Sequence, residues 1–303
     1  MKWLQTIKYK FYKYRPNYYN LSYNHFLNKN LSKFYAENGY VVINNIVTDD
    51  VIKIIKNAFS ILRNHKSYYE VDGFITSANY GFEIQQQIHH ELSAVNRVIL
   101  PKIFDIENIY HNLLNVLVIK YNIDKKDFFA HQDIPLVEES EAPTTYAWIP
   151  TTDINEKNGA LLVLPKSHKC FRWQRIHDQN NSPLREIRNN LLEYMIPIYL
   201  NKGDLILFDN SLIHASAPNI TNEVRVAMNT GIAPKYSPLI HYQKIQKSKN
   251  KIEKYYVDED FWQKGYYLNP NTVPEQYNPP IIEKLNFSGK ITLDNFNEII
   301  QQY

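Results

Sequence analysis

Phe128-Phe-Ala-His131-Gln-Asp133 is the stretch on which the reading of this chain turns, taken with Ser211-Leu-Ile-His214-Ala-Ser216 and Glu223-Val-Arg225 farther along. His131 and Asp133 are two residues apart, so on a β-strand both side chains point to the same face. That is a spacing for metal ligands, but two residues leave a divalent ion short of partners. A distant histidine on another strand is the economical completion. Two imidazoles and one carboxylate on one face leave positions open for a co-substrate and dioxygen, the arrangement of non-haem iron(II) oxygenases.

The sequence around this stretch is that of a β core with helices. Ser32 to Gly39 reads as a helix closed by its glycine, and Tyr40-Val-Val-Ile-Asn44 as a strand. Thr48-Asp-Asp50 caps a helix that runs to about Arg63, with Val51, Ile54, Ile55, Ala58, Phe59 and Leu62 on one face. Residues 68–82 read as a loop and Ile84 to Leu100 as a helix, on which the adjacent His89 and His90 do not share a face. Asn115 to Tyr121 is a buried strand and Asn122 to Asp127 a turn. Strands follow at Phe128–Asp133, Thr144–Pro150, Ala160–Leu164 and Leu205–Phe208, with a connection ending at Gly159, which takes a left-handed backbone. Residues 169–198 look helical and polar, an excursion from the sheet. On the last core strand, Val224 to Thr230, alternation puts Arg225, Ala227 and Asn229 on one face and Val224, Val226 and Met228 on the other. Short strands linked by turns predict an all-β core with flanking helices, a double-stranded β-helix of the jelly-roll, cupin-like type.

Composition narrows the classes. A chain of 303 residues, 44% hydrophobic, buries a sizeable core, and one domain is the expectation. With 34 basic and 31 acidic residues, nothing global calls for a nucleic-acid partner. The single cysteine, Cys170, excludes an internal disulfide framework and points to a reducing cytoplasm. No apolar run approaches the roughly 20 residues that cross a bilayer. Residues 1–20 carry five basic and no acidic side chains, with Trp3, Leu4, Ile7, Phe11 and Tyr14 at helical spacing. Contact with an anionic membrane surface is one reading of that segment; a helix packed on the protein's own core is the favoured one. No oligomeric state follows from the sequence.

The run from His131 to Pro234 resembles the phytanoyl-CoA dioxygenase family of iron(II)- and 2-oxoglutarate-dependent oxygenases. The resemblance rests on His131-Gln-Asp133, the strand with Trp148, Asn158-Gly-Ala-Leu-Leu-Val-Leu-Pro-Lys-Ser-His168, Gly203-Asp204, His214-Ala-Ser216 and Arg225. Gly39 to Ile43 is similar to the family's opening strand, so the likeness spans roughly residues 31–234. Lys166 stands where the family usually has glycine.

The resemblance implies that His131, Asp133 and His214 bind iron(II), with dioxygen and 2-oxoglutarate as co-substrates. It implies that Arg225 and Ser216 take the far carboxylate of 2-oxoglutarate, and that Gln132 and Trp148 contact the co-substrate. A halogenating relative replaces the carboxylate ligand with a small residue; Asp133 is retained, so hydroxylation of an unactivated C–H of a small-molecule or carrier-bound metabolite is expected, with 2-oxoglutarate decarboxylated to succinate and CO2. Two alternatives stand beside this. One is a non-catalytic jelly-roll binding protein with a vestigial metal site; the other is the same oxygenase chemistry ending in desaturation, cyclisation or epimerisation. In this scheme residues 1–303 form a single oxygenase domain: a basic aromatic segment at 1–30, a catalytic core at 31–234, and an extension around the barrel at 235–303. The lysine-rich run Tyr242 to Lys254 reads as a solvated face.

Overall fold

Period-two alternation of apolar side chains sorts this chain into layers. The structure, a computed structural model, describes residues 21–301 except 22, 71–72, 122–127, 177–181, 246–247, 249, 270–272 and 286–288. The basic segment 1–20 and the turn 122–127 therefore lie outside the described residues. The strands are β1 (Tyr40–Ile43), β2 (Phe74–Thr76), β3 (Ile109–Lys120), β4 (Phe128–His131), β5 (Thr145–Pro150), β6 (Leu161–Val163) and β7 (Ile196–Ile198). They continue with β8 (Leu205–Asp209), β9 (His214–Ser216), β10 (Arg225–Pro234), β11 (Ile240–Lys244), β12 (Lys251–Tyr256) and β13 (Ile281–Lys284). The helices are α1 (Lys29–Asn38), α2 (Asp49–Arg63), α3 (Phe82–Ile99), α4 (Ser167–Cys170), α5 (Glu259–Gln263) and α6 (Leu293–Ile300).

A six-stranded sheet, β1-β8-β5-β10-β3-β2, faces a four-stranded one, β4-β9-β6-β7, and every strand pair is antiparallel. This is the double-stranded β-helix that the strand pattern predicts. On β10, Val226 and Met228 pack outward against α2 and α3 in one core cluster, while Ala227 belongs to the cluster between the sheets. Arg225 and Asn229 share that inward face and line a cavity between the sheets. The same phase holds on β5, where Ala147 and Ile149 face the helices and Tyr146 and Trp148 face inward. Gly39 closes α1 at φ 80°, its N–H donating to Tyr35 O at 2.7 Å. Thr48 is the N-cap of α2 but its side chain makes no capping hydrogen bond; Asp49 and Asp50 complement the helix dipole instead.

Four segments differ from expectation. β3 begins at Ile109, six residues before the predicted start, and the polar part of that extension finds a partner in α3: Asn96 Nδ2 donates to His111 O at 2.8 Å and to Asn112 Oδ1 at 2.9 Å. The loop at 68–82 contributes β2, an edge strand on β3. The excursion at 169–198 is mostly irregular, with the short α4 and the edge strand β7, where Pro197 has no ladder bond to break. The lysine-rich run is the paired β11 and β12; Tyr242 and Ile252 are buried, while Lys254 pairs with Glu283 at 2.5 Å. The C-terminal part is tied to the barrel, since Phe261, Trp262 and Tyr267 belong to the cluster between the sheets. Among the described residues no helix is long and apolar enough to cross a membrane.

Burial lowers His25, His89 and His168 from 6.5 to about 4. The folded chain holds them neutral, whereas the unfolded chain protonates them below about pH 6.5, so stability falls as pH drops from about 6.5 towards 4. Urea midpoints measured across that window should decline with acidification. A flat profile would show that these side chains are solvated in the folded state.

Candidate metal centre

β4 and β9 run antiparallel as neighbours, with His131 directly opposite His214 and ring centroids 4.2 Å apart. Each ring is oriented by the backbone carbonyl two residues before it. His131 Nδ1 lies 3.0 Å from Phe129 O, and His214 Nδ1 lies 3.0 Å from Leu212 O. With Nδ1–H donating to those carbonyls, each Nε2 keeps its lone pair for a metal. The two Nε2 atoms lie 3.7 and 3.6 Å from Asp133 Oδ1 and Oδ2, and one ligand atom from each of the three residues falls within 4.8 Å of the others. Burial lowers both imidazoles to about 4; His214 lowers His131 further. Both are neutral at pH 7, the form that coordinates, and one anionic oxygen faces them. This donor set fits a divalent transition metal with an open side.

β4 ends at His131, two residues short of the predicted strand, and Asp133 is placed by clamps instead of a ladder. Its N–H donates to Asn210 O at 3.1 Å, and its carbonyl accepts from Arg175 Nε at 2.6 Å. Arg175 is fixed in turn by Glu139 at 2.7 Å. The turn leading to His214 is held by Asp209, whose Oδ1 accepts from Ser211 N and Oγ, and whose Oδ2 pairs with Arg172 at 2.6 Å. Burial opposes ionisation of Asp209, but Arg172, His168 and the two Ser211 hydrogen bonds together hold the carboxyl below its usual range. Lys166 adopts φ 68° just before α4, a left-handed backbone that explains the glycine usual at this position in the resemblance.

The triad opens into a cavity of about 230 Å³ between the sheets. Arg225, Ser216 and Trp148 line it. The Arg225 guanidinium carbon lies 5.2 Å from the centre of the Trp148 ring, and its Nε and Nη1 have no partner among the described residues. Burial lowers Arg225 to about 10, so it is a cation at pH 7 with donors unsatisfied. An unpaired buried guanidinium is costly, and a carboxylate is the partner its fork fits. Gln132 is a correction. It lies outside the cavity, on the opposite face from His131, and its Nε2 donates to Phe171 O at 2.6 Å and to Ser211 O. Its role is to tie strand ends together.

A sequence profile of the phytanoyl-CoA dioxygenase family matches residues 35–227. The chain belongs to the phytanoyl-CoA dioxygenase family. It is 24% identical to the peroxisomal phytanoyl-CoA dioxygenase of Bos taurus over 262 residues, 78% of this chain and 76% of that protein. The Homo sapiens protein is likewise 24% identical, over 73% of this chain and 72% of its own length. The epimerase SnoN in complex with Fe3+, alpha ketoglutarate and nogalamycin RO shares the fold, with a TM-score of 0.51 at 15% identity over 88% of this chain and 96% of that one. Phytanoyl-CoA dioxygenase family members are iron(II)- and 2-oxoglutarate-dependent oxygenases that use dioxygen, so this member is an oxidoreductase of that kind.

Sequence reasoning missed Lys120, Arg175 and Tyr267 in this dioxygenase. Lys120, fully buried and opposite Arg225 on β3, donates from Nζ to Ser216 Oγ at 2.8 Å, to Ser216 O at 3.0 Å and to Ala217 O. Gly159, at φ 81°, leaves room for it: a Cβ there would lie 2.9 Å from Lys120 Cδ and 3.6 Å from Arg225 Nε. Lys120 closes an apolar run in phase with the inward-facing Val116 and Val118, which is the signal it offers. Arg175→Met should destabilise the fold by about 3–5 kcal/mol, because it strands the buried Glu139 and releases the Asp133 carbonyl. Urea unfolding of the variant measures this. A loss under about 1 kcal/mol would mean that the clamp contributes no more than an exposed ion pair.

Proposed function

We propose that His131, Asp133 and His214 hold iron(II), and that Arg225 forms a bidentate ion pair with the far carboxylate of 2-oxoglutarate. The observation that carries this reading is the unpartnered guanidinium of Arg225 in the same cavity as the triad. Ser216 adds a hydroxyl to that carboxylate. Lys120 fixes the Ser216 hydroxyl and adds positive charge behind it. Trp148 braces the guanidinium with its ring face. Iron(II), when bound, supplies dioxygen activation coupled to decarboxylation of 2-oxoglutarate to succinate and CO2. The protein orients the reactants and excludes water.

The outcome we infer is hydroxylation of an unactivated C–H of a small-molecule or carrier-bound metabolite. Retention of Asp133 supports it, since the carboxylate occupies the position that a halide would need. Residues 31–234 act as the catalytic core in this scheme, with 235–303 closing the cavity as part of one domain. A cytoplasmic site of action fits the lone thiol of Cys170, which burial pushes up to about 12 and keeps unreactive.

Succinate release tests the assignment. Arg225→Ala should raise the 2-oxoglutarate needed for half-maximal turnover by about a hundredfold while iron occupancy holds, the scale of removing one partner of a buried charge pair. An unchanged requirement would place the co-substrate elsewhere. Product mass from a metabolite extract then separates outcomes: one added oxygen for hydroxylation, two hydrogens lost for desaturation or cyclisation, no change for epimerisation.

A further inference from the structure

The cavity contains more unsatisfied polar groups than a metal and a co-substrate carboxylate use. Tyr267 is 4% exposed and lines the cavity, yet its hydroxyl has no hydrogen-bond partner among the described residues. Asn229 Oδ1, on the inward face of β10, is buried in the same wall without a partner. Buried phenols ordinarily find partners, and leaving such a group unpaired costs about 1–3 kcal/mol. Tyr267 is not loosely placed. Gly265 at φ 72° turns the chain out of α5, and the Tyr267 ring sits 5.5 Å from the ring of the buried Trp262. The Asp133 carboxylate and the Tyr267 phenol both lie close enough to Tyr146 to disfavour ionisation of its hydroxyl, after burial itself, so these groups share one region of the cavity.

We propose that Tyr267 and Asn229 form a substrate-orienting subsite, and that it binds the hydroxyl or carbonyl of an uncharged, largely hydrocarbon substrate. The proposal rests on the oxygenase reading of the same cavity. Charge argues for the substrate class. Among the described residues that line the cavity, Arg225 is the only one with a permanent positive charge, and the co-substrate uses it. Apart from the triad, Ser216 and the hydroxyls of Thr76 and Tyr146, the remaining wall is largely hydrocarbon, including Phe74, Leu114, Val116, Phe128 and Leu268. A carboxylate or ammonium group seated there would lose its hydration with no counterion, which is far costlier than seating a hydroxyl against a phenol and an amide. Size argues in the same direction. About 230 Å³ must hold the co-substrate as well, below the roughly 300–1,000 Å³ of sites that enclose a drug-sized ligand, so only a compact segment of the substrate enters.

Tyr267 and Leu268 lie beyond residue 227, where the family match ends. The chain thus takes its iron chemistry from the shared barrel and part of its selectivity from its own C-terminal extension.

The test uses the full chain loaded with zinc(II) and 2-oxoglutarate, and three probes of one shape: cyclohexanol, cyclohexanone and cyclohexanecarboxylate. Saturation-transfer NMR reads their dissociation constants. The alcohol or the ketone should bind more tightly than the carboxylate, and both Tyr267→Phe and Asn229→Leu should weaken it about three- to tenfold, the loss of one neutral hydrogen bond. Tighter binding of the carboxylate, binding of no probe, or unchanged affinity in both variants would overturn the proposal. Titration of the wild-type protein with 2-oxoglutarate alone separates the two levels. Failure to bind it would strike at the oxygenase reading, whereas normal binding with carboxylate-preferring probes would strike only at the subsite.

Discussion

Everything at this site depends on one antiparallel pairing, β4 against β9, that sets two imidazoles side by side, each with its tautomer chosen by the carbonyl two residues earlier. A slip of one residue in that register would turn His131 or His214 to the other face of the sheet. The larger sheet supplies the opposing wall, and its alternation brings Arg225, Asn229 and Trp148 to the same cavity. The helices α2 and α3 cover the far face of that sheet and hold the register through a core remote from the chemistry.

The site concentrates cationic groups where a co-substrate would need them. Arg225 faces the cavity with donors unsatisfied, and Lys120 stands behind it, held by oxygens of Ser216 and Ala217. Burying both costs solvation energy that the folded chain alone does not recover in full, and a bound dicarboxylate would offset it. Elsewhere the charges are paired internally. Arg172 with Asp209 and Arg175 with Glu139 stabilise the irregular backbone beside Asp133 and His214, where no ladder of hydrogen bonds could do so.

Much of this was legible from alternation alone. β4 ends at His131, so clamps to Asn210 and Arg175 bring Asp133 to the His131 side, but the inward face of β10 follows from a period of two. So does the exclusion of Gln132 from the cavity, since it sits between two inward residues; family resemblance pointed the other way and the pleat prevailed. Lys120 carried a readable signal, a lysine in phase with buried valines. The lysine-rich hairpin carried a weaker one, in Ile240 and Tyr242 two residues apart and in Ile252 between Lys251 and Glu253. Arg172, Arg175 and Tyr267 carried none. They lie outside the regular strands, and the groups they meet come from distant parts of the chain, so no local period marks them.

The central claim is that the triad and Arg225 act together on one metal and one co-substrate. Anaerobic titration of the apoprotein with iron(II) and then 2-oxoglutarate, followed by visible absorption, tests it most directly. The account predicts a charge-transfer band that appears only with both present, saturates at one iron per chain, and is lost in His214→Ala. Absence of the band in the wild-type protein, or its persistence in that variant, would contradict the account.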